Sequence, residues 1–310
     1  MMKQKTSRKF GEIVAKDWKR NRVLYMLLLP ALIYYTMFHY IPILGNVIAF
    51  KNFQPRLGIW KSQWIGFKNF IDFFKDPSFA LVLRNTLTIS VTSIVFSFPA
   101  PIILALMINE LKNKFYSRVV QTISYLPHFV SIVVIAGIIR NFVSTDGLIT
   151  DLLVRFGFVR TNLLNEAGFF VPIYVISGIW QEVGLGSIIY LAALTSINME
   201  LYEAARIDGA GRWKQTLNIT LPCIYPTIIV MLILRLGNVM TVGFEKVMLL
   251  YNPLTYKAAD VISTFTYRTG MINRDFGFAS AIDIFNSAIN CILLLSANYM
   301  SKKMVGNSIY

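Results

Sequence analysis

Residues 203–222 read EAARIDGAGRWKQTLNITLP. Apolar runs flank this stretch on both sides, yet it carries charges, two glycines and a closing proline. Glu203, Ala204, Ala205, Arg206 and Ile207 are compatible with a short helix. Small side chains at 204 and 205 let another surface approach the backbone closely. Gly209 and Gly211 allow a sharp bend that bulkier residues resist. Trp213 to Thr220 could form a second short helix, with Leu217 and Ile219 free to pack below a membrane. Pro222 suits the opening of the next apolar helix, where its missing N–H costs little. The order is helix, bend, helix, then span. A plain amphipathic loop is the other reading of the same spacing.

The flanks decide the class. Of the chain's 310 residues, 55% are apolar and 15% charged. An ordinary soluble domain carries about 25% charged residues. The formal charge is +14, but the basic residues sit mostly between apolar runs. That distribution favours positive-inside topology over a nucleic-acid face. Cys223 and Cys291 form no CxxC or Cys/His spacing, and His39 and His128 are isolated. No metal site or disulfide framework is therefore expected. No GxxxxGK[ST] phosphate loop occurs, and no catalytic triad has a site to support it. The chain is expected to be neither an ATPase nor an enzyme of another kind, and to need no cofactor.

Six apolar segments reach the roughly 20 residues that cross a bilayer. They are 24–50, 80–108, 119–141, 171–195, 221–242 and 279–301. The expected fold is therefore an all-α membrane protein with six transmembrane helices. A single domain over 24–301 follows a basic segment 1–23 and precedes a short tail 302–310. The apolar run that begins at 24 is too long for a signal-peptide core. Lys3, Lys5, Arg8, Lys9, Lys16, Lys19, Arg20 and Arg22 place the N-terminus in the cytoplasm, and six spans return the C-terminus to that side. Loops 109–118 and 196–220 are then cytoplasmic. Phe10, Ile13, Val14 and Trp18 fall at helical spacing among basic residues, as in an interfacial helix or a frayed tail.

Ionisable groups inside spans face a bundle interior by default. Three stand out: Glu182 in the fourth span, Arg235 in the fifth and Asp283 near the outer end of the sixth. Gln181 neighbours the first, Asn238 lies one turn beyond Arg235, and Asn286 and Asn290 continue the face of Asp283. These polar faces are candidates to line a solute pathway, with Trp180, Tyr190 and Phe244 as nearby aromatic platforms. A structural Glu182–Arg235 ion pair is the alternative, and His128 after Pro127 reads as a satisfied core histidine.

Glu203-Ala204-Ala205, Asp208-Gly209-Ala210, Ile219 and Leu221-Pro222 together resemble the EAA signature of permease subunits of bacterial ABC importers. The match is close to complete over the whole stretch. The chain also resembles that family in placing the signature between the fourth and fifth of six spans. GFEKVMLLYNPLTYKAADVISTFTYRTGM (243–271), YIPILGNVIAFKNF and ANYMSKK resemble the oligosaccharide and polysaccharide branch, related to maltose-type permeases. The resemblance implies a type I importer permease fold in the bacterial cytoplasmic membrane. Segment 200–222 would hold a coupling helix docked on an ATPase, with Glu203 on the docking helix, Ala204 and Ala205 permitting close approach, Gly209 forming the bend, and Asp208 and Ala210 matching the pattern. The implied partners are a second permease subunit, two ATP-binding subunits, an extracellular solute-binding protein, a sugar substrate and membrane lipid, with no nucleic acid. An ion-coupled secondary transporter, a membrane scaffold, and an importer permease for a non-sugar solute, homodimeric as in some amino-acid importers, are the rival readings.

Overall fold

The computed structural model describes residues 10–305. Five helical stretches are long and apolar enough to cross a membrane: Asp17–Phe50, Phe79–Asn109, Ala167–Thr195, Arg212–Leu236 and Phe276–Lys303. A bent pair, Lys114–Phe129 and Ile132–Phe142, third in chain order, brings the number of candidate crossings to six when its halves are counted as one span. Five to six candidate crossings agree with the six-span reading, with one correction of shape. The third span is not a rod: its halves meet at 99°. Pro127 denies an N–H to the helix, the chain tightens into a 3₁₀ turn at Leu126–Phe129, and Val130 goes extended. Ser131 then restarts the helix, its hydroxyl accepting from the Val134 N–H.

The fifth span also differs from expectation. It starts at Arg212, and the second short helix runs into it without a break. Pro222 thus lies inside a continuous helix rather than at its opening. A π-turn at Thr216–Thr220 immediately precedes it. The same device recurs in the first span, where a π-turn at Thr36–Tyr40 precedes Pro42. In both places the wider turn re-routes the carbonyls that the proline cannot satisfy. The helix stops at Leu236, short of 242, where Asn238 folds its side-chain amide back onto the Leu234 carbonyl.

Irregular backbone near a bilayer is tolerated only where side chains satisfy it. Segment 237–243 meets that condition. Asn290 of the sixth span accepts from the Met240 N–H at 2.9 Å and donates to Thr241 Oγ1 at 3.0 Å, while the Ser90 hydroxyl donates to the Val239 carbonyl.

Three buried clusters hold the bundle. One joins the C-terminal half of the third span and the N-terminal half of the fourth to Val247, Leu250 and Val261. A second packs Phe73, Val82, Ile262, Phe265 and Ile282 together, with Phe73 edge-on to Phe79 and Phe285. The third is at the opposite end and gathers Ala105, Tyr190, Leu194 and Ile224. The first span stands apart, since none of its most apolar window is buried in this chain.

Two smaller features depart from an all-helical description. Lys51–Asn52 pairs antiparallel with Gln63–Trp64 in the loop after the first span, and an amphipathic helix, Lys68–Lys75, follows. Before the first span, the stretch read as an interfacial helix or a frayed tail is helical. Phe10–Tyr35 is one helix kinked at Asn21 (φ −114, ψ 18), so it crosses the boundary drawn after residue 23. Lys3, Lys5, Arg8 and Lys9, and tail residues 306–310, lie outside the described residues.

Candidate functional site

At one end of the bundle the segment quoted first builds a rigid, protruding turn. Asn198 caps helix Met199–Ile207, its side-chain oxygen accepting from the Glu200 N–H at 3.0 Å. The helix ends on Gly209 at φ +74, and the Ala210 N–H returns to the Ala205 carbonyl at 2.8 Å. This is a left-handed C-terminal cap, which glycine adopts without a Cβ penalty. A Cβ at Gly209 would meet nothing within 4 Å, so conformation rather than crowding demands glycine there.

Two ties fix the turn to the spans. Tyr202 Oη and Thr220 Oγ1 share a hydrogen bond of 2.9 Å, and Gln215 Nε2 donates to the Ala210 carbonyl at 2.7 Å. Glu203, Ala204 and Asp208 are exposed, Ala205 and Ala210 half-buried. Ile207 is 87% and Trp213 80% exposed. Leu217 is exposed and Ile219 half-buried, so only the second of that pair packs inward.

The polar groups of the spans fall into two sets. Glu182, near the middle of the fourth span, pairs with His128, Nδ1 to Oε2 at 3.0 Å. His128 sits in the 3₁₀ break of the third span. Gly184 makes this crossing possible: a Cβ there would lie 2.0 Å from the Ser124 carbonyl oxygen. Glu182 does not pair with Arg235, and the structural ion pair weighed on sequence is absent among the described residues. His128 is satisfied, as read from sequence, but its side chain is 34% exposed rather than in the core.

Toward the N-terminal end of the fourth span, Tyr174 organises a second cluster. Its hydroxyl accepts from the Gly243 N–H at 3.1 Å. Lys246 donates to its carbonyl at 3.0 Å and sits 4.9 Å from its ring centre. Arg235 and Asn238 are exposed.

Asp283 is exposed near the start of the sixth span. Asn286 is half-buried, and its Oδ1 is buried without a partner. Asn290 is engaged in holding the 237–243 backbone, a structural role. Of the three aromatics, Tyr190 is buried at 3% in the inner cluster and lines nothing; Trp180 is half-exposed, and Phe244 packs on Tyr267 at 5.2 Å.

Tyr174, Lys246 and the His128–Glu182 bond were not read as a site from sequence. Lys246 was the legible one, a lone cation in the apolar run GFEKVMLL. The other two depend on which spans touch.

Beside these groups the connector between the fifth and sixth spans is braced by hydrogen bonds. Arg268 grips Asp260 through two bonds of 3.2 and 2.6 Å, and this carboxylate raises the guanidinium above its ordinary pKa. Asn85 donates to the carbonyls of Tyr256 and Asp260, tying the segment to the second span.

Residues 97–306 match the family described as "Binding-protein-dependent transport system inner membrane component". The chain belongs to that family. A membership defined by a binding protein sets aside the ion-coupled carrier. Among relatives, "Protein LplB" of Bacillus subtilis (strain 168) is 44% identical over 286 residues, 92% of this chain and 90% of that one. The "Polygalacturonan/rhamnogalacturonan transport system permease protein YteP" of the same organism is 41% identical over 308 residues, 96% of each. A solved structure of "a bacterial ABC transporter involved in the import of the acidic polysaccharide alginate" contains a chain 47% identical, with a TM-score of 0.87 over 94% of this chain and 99% of that one. The fold is thus that of an ABC importer permease, in a membrane-spanning component of the inner membrane.

Proposed function

We propose that this chain is the transmembrane permease subunit of an ATP-driven importer for oligosaccharides or other complex sugars. It forms half of the translocation pathway beside a second permease subunit. Two separate ATP-binding subunits supply the energy, and an extracellular binding protein delivers the cargo. The cargo class is supported by relatives named for polygalacturonan, rhamnogalacturonan and alginate. A related alginate transporter is described "in complex with alginate pentasaccharide-bound periplasmic protein", which supports the binding-protein partner.

The observation that carries the coupling role is the protruding helix Met199–Ile207 with its Gly209 turn. Glu203, Ala204, Ala205, Asp208, Gly209 and Ala210 form the docking element. Ala204 permits close approach, and the Tyr202–Thr220 bond passes motion into the fifth span. ATP-driven closure of the partner would move this element as a rigid body and switch the spans between two states of access. This orientation puts both termini and segment 198–211 in the cytoplasm, and Glu182, Arg235, Asn238, Asp283 and Asn286 along or beside the pathway.

The test is a reconstituted complex carrying Glu203→Lys or Gly209→Pro. Proline fixes φ at about −65°. That value is incompatible with the +74 of Gly209. Both variants should insert normally yet lose sugar uptake and substrate-stimulated ATP hydrolysis. Uptake that survives both changes refutes the docking assignment. Glu182→Gln and Arg235→Met with full stimulated hydrolysis would refute the pathway assignment.

A further inference from the structure

The loop after the first span carries a charge that its position does not explain. Residues 51–78 hold Lys51, Arg56, Lys61, Lys68 and Lys75 against Asp72 and Asp76. With the bent pair counted as one span, an odd number of crossings separates this loop from segment 203–222, so the two lie at opposite ends of the bundle. Positive-inside topology favours such a surplus at the other end. Two of the charges are tied down locally. Lys51 Nζ donates to the Ile59 carbonyl at 2.7 Å, and Asp76 accepts from the Ser78 N–H at 2.7 Å. Arg56, Lys61, Lys68 and Lys75 are exposed, and their side chains form no hydrogen bond or ion pair among the described residues.

The same loop exposes aromatic rings. Trp60, in the turn Gly58–Lys61, is 91% exposed. Trp64 stacks on Phe50, the last residue of the first span, with ring centres 5.7 Å apart, and Phe67 meets Phe50 edge-on at 5.4 Å. Phe67, Ile71 and Phe74 recur at helical spacing and are all exposed, with Lys68, Asp72 and Lys75 forming the stripe beside them. Another face of helix Lys68–Lys75 is committed to the bundle. Phe73 is buried edge-on to Phe79, and Asn69 Nδ2 donates to the Ala49 carbonyl at 2.8 Å. These contacts fix the depth of the helix. It lies beside the last residues of the first span and the first residue of the second, where the chain leaves the bilayer and returns to it.

Exposed rings bordered by unpaired Lys and Arg are the composition of the lipid headgroup zone, where rings sit at the boundary and cations meet phosphates. A protein partner also covers apolar stripes. The depth of this one, and a cation surplus with no anion to meet it, match a layer of phosphates continuous with the lipid around the spans. We propose that segment 51–78 is an interfacial anchor that binds anionic phospholipid headgroups. The exposed rings enter the boundary, and Lys61, Lys68 and Lys75 pair with lipid phosphates. The first span buries none of its most apolar window in this chain, and the anchor fixes its end in the bilayer. An anchor of this kind is indifferent to the cargo.

The test uses the whole importer complex in phosphatidylcholine nanodiscs. Emission that Trp60→Phe removes is assigned to Trp60. Brominated phosphatidylcholine in the disc should quench it more than aqueous iodide does. Brominated phosphatidylglycerol at the same low mole fraction should quench it at least about threefold more efficiently at low salt, and about 0.5 M salt should screen that preference away. The triple variant Lys61→Gln, Lys68→Gln, Lys75→Gln should keep the quenching by brominated phosphatidylcholine, lose the preference for phosphatidylglycerol and melt like wild type, since all three side chains are exposed. Emission open to iodide and untouched by both brominated lipids overturns the anchor. Equal quenching by the two lipids, or a preference that survives the triple variant, overturns it as well. If Trp60 responds only when the binding protein is added, the face is a protein interface and the lipid assignment falls.

Discussion

Gly184 lets the first half of the third span pack closely against the fourth, and replacing it by alanine is a decisive perturbation. The added Cβ would lie 2.0 Å from Ser124 O, 2.3 Å from Ser124 C and 2.8 Å from Tyr125 N. All three are backbone atoms, so no side chain can swing away. Ordinary contact begins near 3.4 Å. The crossing must therefore open by about 1.4 Å to restore it. Overpacking of this kind costs about 1–3 kcal/mol, and a backbone clash belongs at the upper end. Alanine returns about 1 kcal/mol of helix propensity. The net expectation is a loss of about 2 kcal/mol.

The functional consequence is sharper. The His128–Glu182 bond spans the same crossing at 3.0 Å. It fails once it lengthens beyond about 3.5 Å. Gly184→Ala should therefore lower the melting temperature of the purified complex and depress sugar uptake, while the chain still reaches the membrane. Gly137→Ala is the control, because nothing lies within 4 Å of its Cβ position. It should leave melting unchanged or raise it slightly. If Gly184→Ala melts and transports like wild type, the close crossing does not exist and the placement of Glu182 falls with it.

Three further outcomes follow from particular contacts. Gly209→Ala forces a non-glycine residue to φ +74. It should weaken coupling by about 1 kcal/mol, whereas Gly209→Asn should be nearly neutral, read as substrate-stimulated ATP hydrolysis. Tyr202→Phe removes the bond to Thr220. That bond is worth about 1 kcal/mol, and its loss should raise the ATP consumed per sugar moved without altering assembly. Asp260→Ala strands Arg268, whose side chain is 27% exposed. The change should cost about 3–5 kcal/mol, seen as a lowered melting temperature and faster proteolysis of loop 251–275.

Much of the architecture was legible from one-dimensional information. Apolar length gave six crossings, because a bilayer demands a run of about 20 residues whatever the neighbours. Segment 203–222 was readable for a local reason too. Helix, glycine bend and helix are encoded within a few residues of each other, and Gly209 takes the left-handed conformation that its lack of a Cβ suggested. The motif's resemblance then supplied the family, which no periodicity could.

What tertiary structure decided was which distant groups meet. Pro127 was visible in the third span but was not read as a break, and the 99° turn depends on Ser131 restarting the helix and on the fourth span fitting beside the break through Gly184. Glu182 was visible as an expensive charge, and Arg235 was an equally reasonable partner by sequence. Only the packing of the bent third span brings His128 to it. Lys246 shows the same limit. Its meaning comes from folding back onto Tyr174, 72 residues away in sequence. Local chemistry and bilayer thickness act along the chain and can be read there; pairing of charges across spans is set by how helices cross, and sequence spacing does not carry that geometry.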